Sequence, residues 1–395
     1  MTIEPKAYKL KNHIQNYKWG AKGKNAFIPK LLGIKNEEKP YAELWIGAHP
    51  KLSSEIFIDN IYYQLNSIIE NFPNEILGKT VAEKFDGKLP FLLKVLSAKK
   101  ALSIQTHPNK EEAERLNKLY PEYYSDNNHK PEIAVALDYL KAMVGFRPLE
   151  NIEDNLTNYP QLAEFIGKND ILEFKKEKST ENLKKLFSVL MQQAGNKSKL
   201  EITITSIKDK IEKSNNITED EKLFIDLYTQ YGVDIGVLVL FFLNVVKLNA
   251  GEGIFTPAGI PHAYIEGNIV ECMANSDNVI RAGLTTKFKD VNELLKILTY
   301  KSGKPEIIGK AITGNIVRYD VSISEFILDK IEIPKGDNIS INNQNKIEII
   351  LVIKGEIEIK NETLFKGDSC IIPGLLSNYN IKTKVKTLLF RVFIP

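Results

Sequence analysis

The pattern of apolar residues changes twice along this chain, and that change limits the folds open to it. Between about residues 150 and 232, apolar residues recur at helical spacing, whereas the flanking segments resemble short strands between glycine and proline turns. The helical stripes are Leu183, Leu186, Phe187 and Leu190, then Ile204, Ile207 and Ile211, and then Leu223, Phe224 and Leu227. The sequence predicts a helical block inserted into a mainly β chain, whose strand spacing is typical of a sandwich or barrel.

Local signals predict individual elements outside this block. Residues 60–85 are expected to be mostly helical, and the apolar runs within 89–108 indicate a hairpin of two buried strands. Asn109, with acidic residues soon after it, predicts a helix from about 110 to 119. A further short helix is expected at Val291–Leu298.

One spacing of glycine, proline and a polar residue occurs twice, 116 residues apart. The first copy is Gly251, Pro257 and His262, and the second is Gly367, Pro373 and Asn378. Because glycine and proline recur by chance, a true repeat and a coincidence both stay open. A true repeat predicts two related β-barrels, of which only the first keeps a histidine.

Composition excludes several classes of protein. The 395 residues allow two or three domains, and 53 Lys and Arg against 50 Asp and Glu give no sign of nucleic-acid or anionic-membrane binding. The most apolar run, Ile235–Val246, is shorter than the roughly 20 residues that span a bilayer. Cys272 and Cys370, neither in a CxxC motif, exclude a disulfide framework and favour a reducing compartment. Without a signal-peptide core at the N-terminus, we expect a soluble, cytoplasmic protein.

Four residues could together bind a metal ion. Gln105 and His107 are two residues apart in an expected strand, so their side chains share one face. His262 follows a Pro-Ala-Gly-Ile-Pro turn, and Glu132 leads into an apolar strand. Two imidazoles, a carboxylate and an amide oxygen suit zinc. A lone histidine beside a turn is more often a surface or hydrogen-bonded core residue, so these residues alone leave both interpretations open.

A second polar group follows the last of these histidines. It consists of Glu271, Asp277, Arg281 and Lys287. One interpretation is a solvated loop with an internal ion pair. The other is a site for a phosphorylated, hydroxyl-rich ligand, because Arg and Lys pair with phosphate oxygens. No GxGxxG, Walker, GxSxG or HExxH motif is present, so nucleotide binding is not supported.

Several ordered motifs resemble the type I mannose-6-phosphate isomerase family of the cupin superfamily. Between about residues 10 and 300 the chain contains, in order, YKWG, AELWIGAHP, LPFLLKVLSA, LSIQTHPN, HKPE, PAGIPHAY and ECMANSDNVIRAGLT. The spacing from Gly251 through Pro257 and Gly259 to His262 also resembles the second cupin motif. The chain departs from the family pattern at Thr286, where the family usually has proline.

The resemblance implies a mainly β fold with a helical insertion: two cupin-type jelly-roll barrels plus an α-helical domain. The implied segments are 1–148 (catalytic barrel, first part), 149–244 (helical insertion), 245–320 (catalytic barrel, second part) and 321–395 (C-terminal barrel). Since Asn378 takes the place of His262 in the repeat, the C-terminal barrel is expected to be metal-free and structural.

The family catalyses a zinc-dependent aldose–ketose isomerisation between mannose 6-phosphate and fructose 6-phosphate, through an enediol or enediolate, and so feeds GDP-mannose metabolism. Matched by motif, the ligands of one zinc ion per chain would be Gln105, His107, Glu132 and His262. The motif NVIRAGLT makes Arg281 the active-site arginine. We expect a sugar phosphate as the small-molecule partner and a monomer or weak homo-oligomer.

The chemistry also needs a base and contacts to the substrate. Glu271, Lys130 and a zinc-bound water are candidates for the proton transfer, and the sequence does not choose among them. Lys94, Ser103 and Lys287 are candidate contacts to phosphate and sugar hydroxyls.

Two other functions would keep the fold. A non-catalytic cupin that stores or senses sugar should not retain the ligand set together with Arg281. A cupin dioxygenase or epimerase would use iron or no metal, with three histidines, or two histidines and a carboxylate, as the usual ligands. Metal content measured together with isomerase activity separates the three.

Overall fold

The computed structural model describes residues 1–23, 26–35, 37–309 and 315–395. The part before the helical insertion alternates strands with short helices. The strands are β1 (Tyr8–Lys11), β2 (His13–Gln15), β3 (Glu43–Ile46), β4 (Ala48–His49), β5 (Leu52–Ser53), β6 (Glu55–Ile58), β7 (Ile61–Gln64), β8 (Phe91–Ala98), β9 (Ile104–Thr106) and β10 (Glu132–Phe146). The helices are α1 (Phe27–Leu32), α2 (Leu65–Asn71), α3 (Pro73–Leu77), α4 (Lys79–Lys84) and α5 (Lys110–Leu119). The helical predictions for 60–85 and for 110–119 are confirmed, apart from β7.

The insertion is helical, as predicted. Its helices are α6 (Leu149–Asn158), α7 (Pro160–Ile166), α8 (Lys168–Lys176), α9 (Thr180–Gln193), α10 (Lys197–Glu212), α11 (Glu219–Tyr231) and α12 (Ile235–Val239). The three apolar stripes lie on α9, α10 and α11, and every stripe residue is buried in one core. The apolar run after them divides between α12 and the next strand. Among the described residues, no helix is both long enough and apolar enough to cross a bilayer.

The remainder is rich in strands. They are β11 (Leu243–Asn249), β12 (Gly253–Thr256), β13 (His262–Ala274), β14 (Ile280–Gly283), β15 (Ile307–Ile308), β16 (Ile316–Tyr319), β17 (Ile327–Ile333), β18 (Asn338–Asn342), β19 (Glu348–Lys354), β20 (Glu356–Ile359), β21 (Glu362–Phe365), β22 (Ser369–Ile372), β23 (Asn378–Lys382) and β24 (Thr387–Phe393). The predicted short helix is α13 (Val291–Ile297).

A ten-stranded sheet, here called the catalytic sheet, contains the candidate site residues. Its main order is β15-β12-β10-β13-β8-β3-β2, with β11 on β10 and with β9 pairing with both β13 and β14. The prediction of a hairpin within 89–108 is wrong, because β8 and β9 both pair with β13 rather than with each other. A long partner strand from a distant segment therefore decides the pairing, and the two strands lie along one of its edges.

The C-terminal strands form a second layered region. An eight-stranded sheet has the order β16-β17-β24-β19-β22-β1-β6-β7, so three N-terminal strands complete it. A four-stranded sheet, β18-β23-β20-β21, covers its inner face over an apolar core. The opposite face of the eight-stranded sheet packs against the catalytic sheet through a core that includes Val135, Val270, Ile349 and Ile371. The fold is thus mixed and sheet-rich, with a helical insertion.

The repeated spacing seen in the sequence coincides with a repeated arrangement of strands. Gly251 and Gly367 precede β12 and β22 with φ values of 85° and 90°, a left-handed backbone that glycine adopts readily. Strands β13 and β23 then begin at His262 and Asn378. The strand orders of the two sheets also correspond: β12-β10-β13-β8-β3 in the catalytic sheet matches β22-β19-β24-β17-β16 in the eight-stranded sheet. The long strand β13 thus matches β23 where it begins and β24 further along. The interpretation as a true repeat is therefore favoured over coincidence.

Candidate metal centre and substrate cavity

Three potential metal-binding side chains meet where three strands of the catalytic sheet come together. His107 follows β9, Glu132 begins β10 and His262 begins β13, and one donor atom from each lies within 4.8 Å of the others. The Nε2 atom of His107 is 3.3 Å from Oε1 of Glu132, and Nε2 of His262 is 3.2 Å from Oε2. All three side chains are buried.

Backbone carbonyls fix the orientation of both imidazoles. The Nδ1 atom of His107 is 2.7 Å from the carbonyl oxygen of Asn278, and that of His262 is 3.1 Å from the carbonyl of Ile260. In a neutral imidazole, a nitrogen that faces a carbonyl carries the proton, so the Nε2 atom presents its lone pair. Burial lowers the pKa of His107 to about 4, which keeps its ring neutral.

Two buried atoms of this group lack hydrogen-bond partners in the described part of the chain, namely Nε2 of His107 and Oε2 of Glu132. Unsatisfied buried polar atoms are costly, and a cation between them would satisfy both. Two imidazoles and a carboxylate are a donor set that fits zinc.

Gln105 adds a fourth polar side chain. It pairs with His262 across the β9–β13 contact, and its Nε2 is 3.4 Å from Nε2 of that histidine. The two ends of an amide have nearly the same shape, so a half-turn about its last bond puts the oxygen in the same position. Gln105 can therefore present an amide oxygen beside the other three donors.

Lys130 lies directly against this group. Its Nζ is 2.7 Å from Oε1 of Glu132, and both side chains are buried. Burial would raise the pKa of Glu132, but the charge of Lys130 and contacts with the histidines outweigh it and hold that pKa well below its usual range. The carboxylate is therefore ionised.

A second ionic group lies on the same face of the catalytic sheet. Lys94 on β8 is directly opposite Glu271 on β13, with Nζ 3.3 Å from Oε2. Burial raises the pKa of Glu271, although Lys94 opposes that rise. Burial alone would lower the pKa of Lys94, but Glu43 and Glu271 raise it above its ordinary value. The lysine is therefore charged, and the glutamate has a pKa above its ordinary value.

These two groups share a cavity of about 650 Å³, within the usual range of roughly 300–1,000 Å³ for small-molecule sites. Of the residues predicted to form the site, those lining the cavity are Lys94, Ser103, Gln105, Lys130, Glu132, Glu271, Arg281 and Lys287. The remaining two, His107 and His262, are buried against Glu132. The structure therefore brings all ten predicted site residues into one place.

The idea of a solvated loop with an internal ion pair is not supported. Glu271 is buried on a strand against Lys94, and Asp277 pairs with Lys51, with Nζ and Oδ2 2.7 Å apart. Arg281 is half-buried and has no carboxylate partner within the described ranges. Burial lowers its pKa, yet a guanidinium stays charged. Arg281 is thus an uncompensated cation at the cavity wall.

Sequence reasoning missed several neighbours of these residues. Glu43 lies 3.7 Å from the ammonium of Lys94 and accepts a 2.5 Å hydrogen bond from the indole of Trp45. The hydroxyl of Tyr264 is buried, lines the cavity and has no hydrogen-bond partner in the part of the chain described. Period-two spacing was the available signal, because Glu43 and Trp45, and His262 and Tyr264, are two residues apart on strands.

Family models and known proteins match most of this chain. The family model for the catalytic domain of type I phosphomannose isomerase matches residues 7–149, and that for its helical insertion domain matches 151–243. Mannose-6-phosphate isomerase 2 of Arabidopsis thaliana is 37% identical over 393 residues, covering 93% of this chain and 88% of that protein. Mannose-6-phosphate isomerase of Schizosaccharomyces pombe is 38% identical over 393 residues, covering 93% of each.

Solved structures give the same result over nearly the whole chain. A zinc-bound mannose 6-phosphate isomerase has a TM-score of 0.86 and 33% identity, covering 98% of this chain and 99% of that one. A single-residue variant of phosphomannose isomerase from Salmonella typhimurium has a TM-score of 0.87 and 34% identity, with the same coverage. This chain belongs to the type I phosphomannose isomerase family.

Proposed function

We propose that this enzyme interconverts mannose 6-phosphate and fructose 6-phosphate and binds one zinc ion through Gln105, His107, Glu132 and His262. The observation that carries the proposal is the convergence of two imidazoles and an ionised carboxylate on one buried point beside a polar cavity. When bound, zinc would supply Lewis acidity toward the carbonyl oxygen of the sugar.

The remaining residues have separate roles. Glu271 moves the proton between C1 and C2, because it faces the cavity and burial raises the pKa of its carboxyl group. Lys130, the alternative base, is engaged with the carboxylate of Glu132 and orients that ligand. Arg281 stabilises negative charge on the enediolate, since no carboxylate among the described residues neutralises it.

Three residues contact the phosphate and hydroxyl groups of the substrate. Lys94 presents a fixed charge from the sheet, and Ser103 presents a half-buried hydroxyl. The side chain of Lys287 lies at the cavity and is largely exposed. Its partial burial, and after that the nearby charge of Arg281, lower the pKa of its ammonium group. A phosphate held near these cations would offset their mutual repulsion.

We further propose that the catalytic and C-terminal sheets each belong to a cupin-type jelly-roll barrel. The corresponding strand orders of the two regions support this. The division into 1–148, 149–244, 245–320 and 321–395 is part of the same proposal, with β1, β6, β7 and β16 of the catalytic segments joining the C-terminal sheet. The family matches end within a few residues of its first two boundaries. The proposal is completed by a cytoplasmic location, which two unpaired cysteines support, and by a monomeric or weakly homo-oligomeric state.

The test combines metal analysis with an enzyme assay on one preparation. The purified chain should contain one zinc per chain and convert mannose 6-phosphate to fructose 6-phosphate. Removal of zinc by a chelator should abolish turnover, and added zinc should restore it. Full turnover by a chain freed of all metal would overturn the zinc assignment, and binding of the sugar phosphate without turnover would favour a non-catalytic cupin.

A further inference from the structure

The carboxylate of Asp126 holds a turn close to the metal centre. Asp126 lies in the loop between α5 and β10, and the turn lies between β13 and β14. The Oδ1 atom of Asp126 accepts a hydrogen bond from Oγ of Ser276 at 2.7 Å, and Oδ2 of Asp126 accepts one from the backbone amide of Asp277 at 2.8 Å. Two neighbouring turn residues are therefore tied to one carboxylate.

Asp126 also contacts Asn278, whose backbone carbonyl faces Nδ1 of His107. The side-chain amide of Asn278 donates to the backbone carbonyl of Asp126 at 2.7 Å and to its Oδ1 at 3.1 Å. The backbone amide of Asn278 donates to Oγ of Ser276 at 3.2 Å. Asn278 is fully buried, and its own carbonyl lies 2.7 Å from Nδ1 of His107. A continuous chain of contacts thus links Asp126 to the imidazole.

We propose that Asp126 is a positioning residue for the zinc ligand His107, acting through the carbonyl of Asn278. This inference rests on the proposed zinc site. The partner of the second ring nitrogen orients a ligating histidine. Residues 276–279 have no regular secondary structure, so no strand ladder holds this carbonyl. The contacts with Asp126 hold it instead, together with hydrogen bonds of 3.0 Å that Ser276 and Asn278 each donate to the backbone carbonyl of Asn128.

Zinc affinity measured by competition with a chromophoric chelator tests the proposal without relying on activity. Asp126→Ala should weaken zinc binding by about 10- to 100-fold. Asp126→Asn keeps the size of the side chain and should give a smaller loss in the same direction, which provides a second variant if the alanine variant does not fold. Asp290→Ala is the matched control, because Asp290 caps α13 through the amide of Glu293. This control should bind zinc within about twofold of the unsubstituted chain.

A double-mutant cycle separates positioning from general loosening of the fold. Once His107→Ala has removed the ligand, Asp126→Ala should weaken zinc binding no further, because the group it positions is gone. An equal loss in both backgrounds would overturn the inference, and so would equal zinc affinity of the Asp126 variants and the Asp290 control. Failure of the unsubstituted chain to bind zinc would overturn the proposed function and the inference together.

Discussion

The catalytic sheet and the C-terminal sheet place buried charges at matching strand positions. Matched by strand register are Glu132 with Glu348, Glu271 with Arg391, and Lys94 with Asp329. All six side chains are buried. The two sheets therefore differ in which charges occupy these positions and in what the charges face.

In the C-terminal sheet the charges satisfy one another. The Nε atom of Arg391 donates to Oε2 of Glu348 at 2.9 Å, and its Nη1 lies 3.2 Å from Oδ2 of Asp329. Tyr379 donates to Glu348, and Arg318 makes a two-pronged contact with Asp329. One buried cation thus lies between two carboxylates.

In the catalytic sheet the matched charges line a cavity. Lys94 pairs with Glu271, while Glu132 faces two imidazoles and keeps an oxygen without a hydrogen-bond partner in the described residues. The two regions also differ in the residue that pairs with His262 and in the one that pairs with its counterpart, Asn378. Gln105 pairs with His262 in the catalytic sheet, whereas Asn342 pairs with Asn378 in the C-terminal region, and both asparagines are exposed. Buried charge is therefore common to both sheets, and the capacity for metal comes from the neighbouring imidazoles.

Removal of an imidazole should give the largest effect. We expect His262→Ala to lose both zinc and turnover while the chain stays folded, because the remaining donors leave the site incomplete. Metal analysis, circular dichroism and an isomerase assay on one sample check this. Full zinc occupancy in the variant would contradict the ligand assignment and weaken the comparison.

Glu271 and Arg391 occupy matched positions, but of the two only Glu271 lines the cavity. Loss of its carboxylate should therefore affect the reaction. Glu271→Gln should retain zinc and lower kcat by about 10²- to 10⁴-fold. In the unsubstituted enzyme the ionised form is active, so kcat should fall as the pH drops through a pKa above the ordinary glutamate value of 4.5. A pH profile of kcat measures this, and an acid limb at or below that value would argue against Glu271 as the base.

Within the described residues, Arg281 has no carboxylate partner, whereas Arg391 has two. If Arg281 stabilises the enediolate, Arg281→Ala should lower kcat on the order of 100-fold for both mannose 6-phosphate and unphosphorylated mannose. If Arg281 grips phosphate instead, the loss should be confined to the phosphorylated substrate, since the other already lacks the partner. We expect the first result. Unchanged kcat/KM on both substrates, with zinc intact, would exclude both roles.

Arg391→Met should change stability rather than chemistry. It leaves Glu348 and Asp329 buried without their shared cation, which should cost about 3–5 kcal/mol of unfolding free energy. Zinc content and kcat should be unchanged where the variant is folded. The control is Lys386→Met, which removes an exposed cation 3.7 Å from Glu332 and should cost at most about 1 kcal/mol. Denaturant titration of both variants checks the difference, and loss of zinc from Arg391→Met would show that the two sheets are energetically coupled.

The smallest effect is expected at the counterpart of His262. Asn378 is exposed and its side chain contacts the hydroxyl of Ser377. Asn378→Ala should leave zinc stoichiometry unchanged and kcat within about twofold, with a stability change of about 0.5 kcal/mol or less. Zinc loss in this variant would show that the C-terminal region is not merely structural.

Elements with complete local signals could be predicted from the sequence. Helix α5 is an example. The side chain of Asn109 accepts a hydrogen bond from the backbone amide of Glu112, and the side chain of Glu112 accepts one from the backbone amide of Asn109. The buried stripe of α9 is another. Strands β8 and β9 were found, but their pairing was not, because the partner lies beyond the helical insertion.

The candidate site divides in the same way. The resemblance to the family supplied the zinc ligands, and the residues alone left them open. The pairing of Lys94 with Glu271 depends on the register of two strands far apart in sequence, which no local pattern records. The role of Asn278 depends on a backbone carbonyl, so its side chain gave no signal.

The completion of the eight-stranded sheet by β1 has a consequence for the order of events during synthesis. Tyr8 on β1 pairs with Ile371 on β22, so a strand pairing inside this sheet joins a strand made early to one made late. On the ribosome, β1 cannot pair with β22 until residues 369–372 have emerged, whereas every described strand of the catalytic sheet and every described helix of the insertion is synthesised before them. A chain cut short before β22 would leave the edge of β1 open to other chains. Nascent-chain stalling before and after residue 372 would reveal when that edge closes.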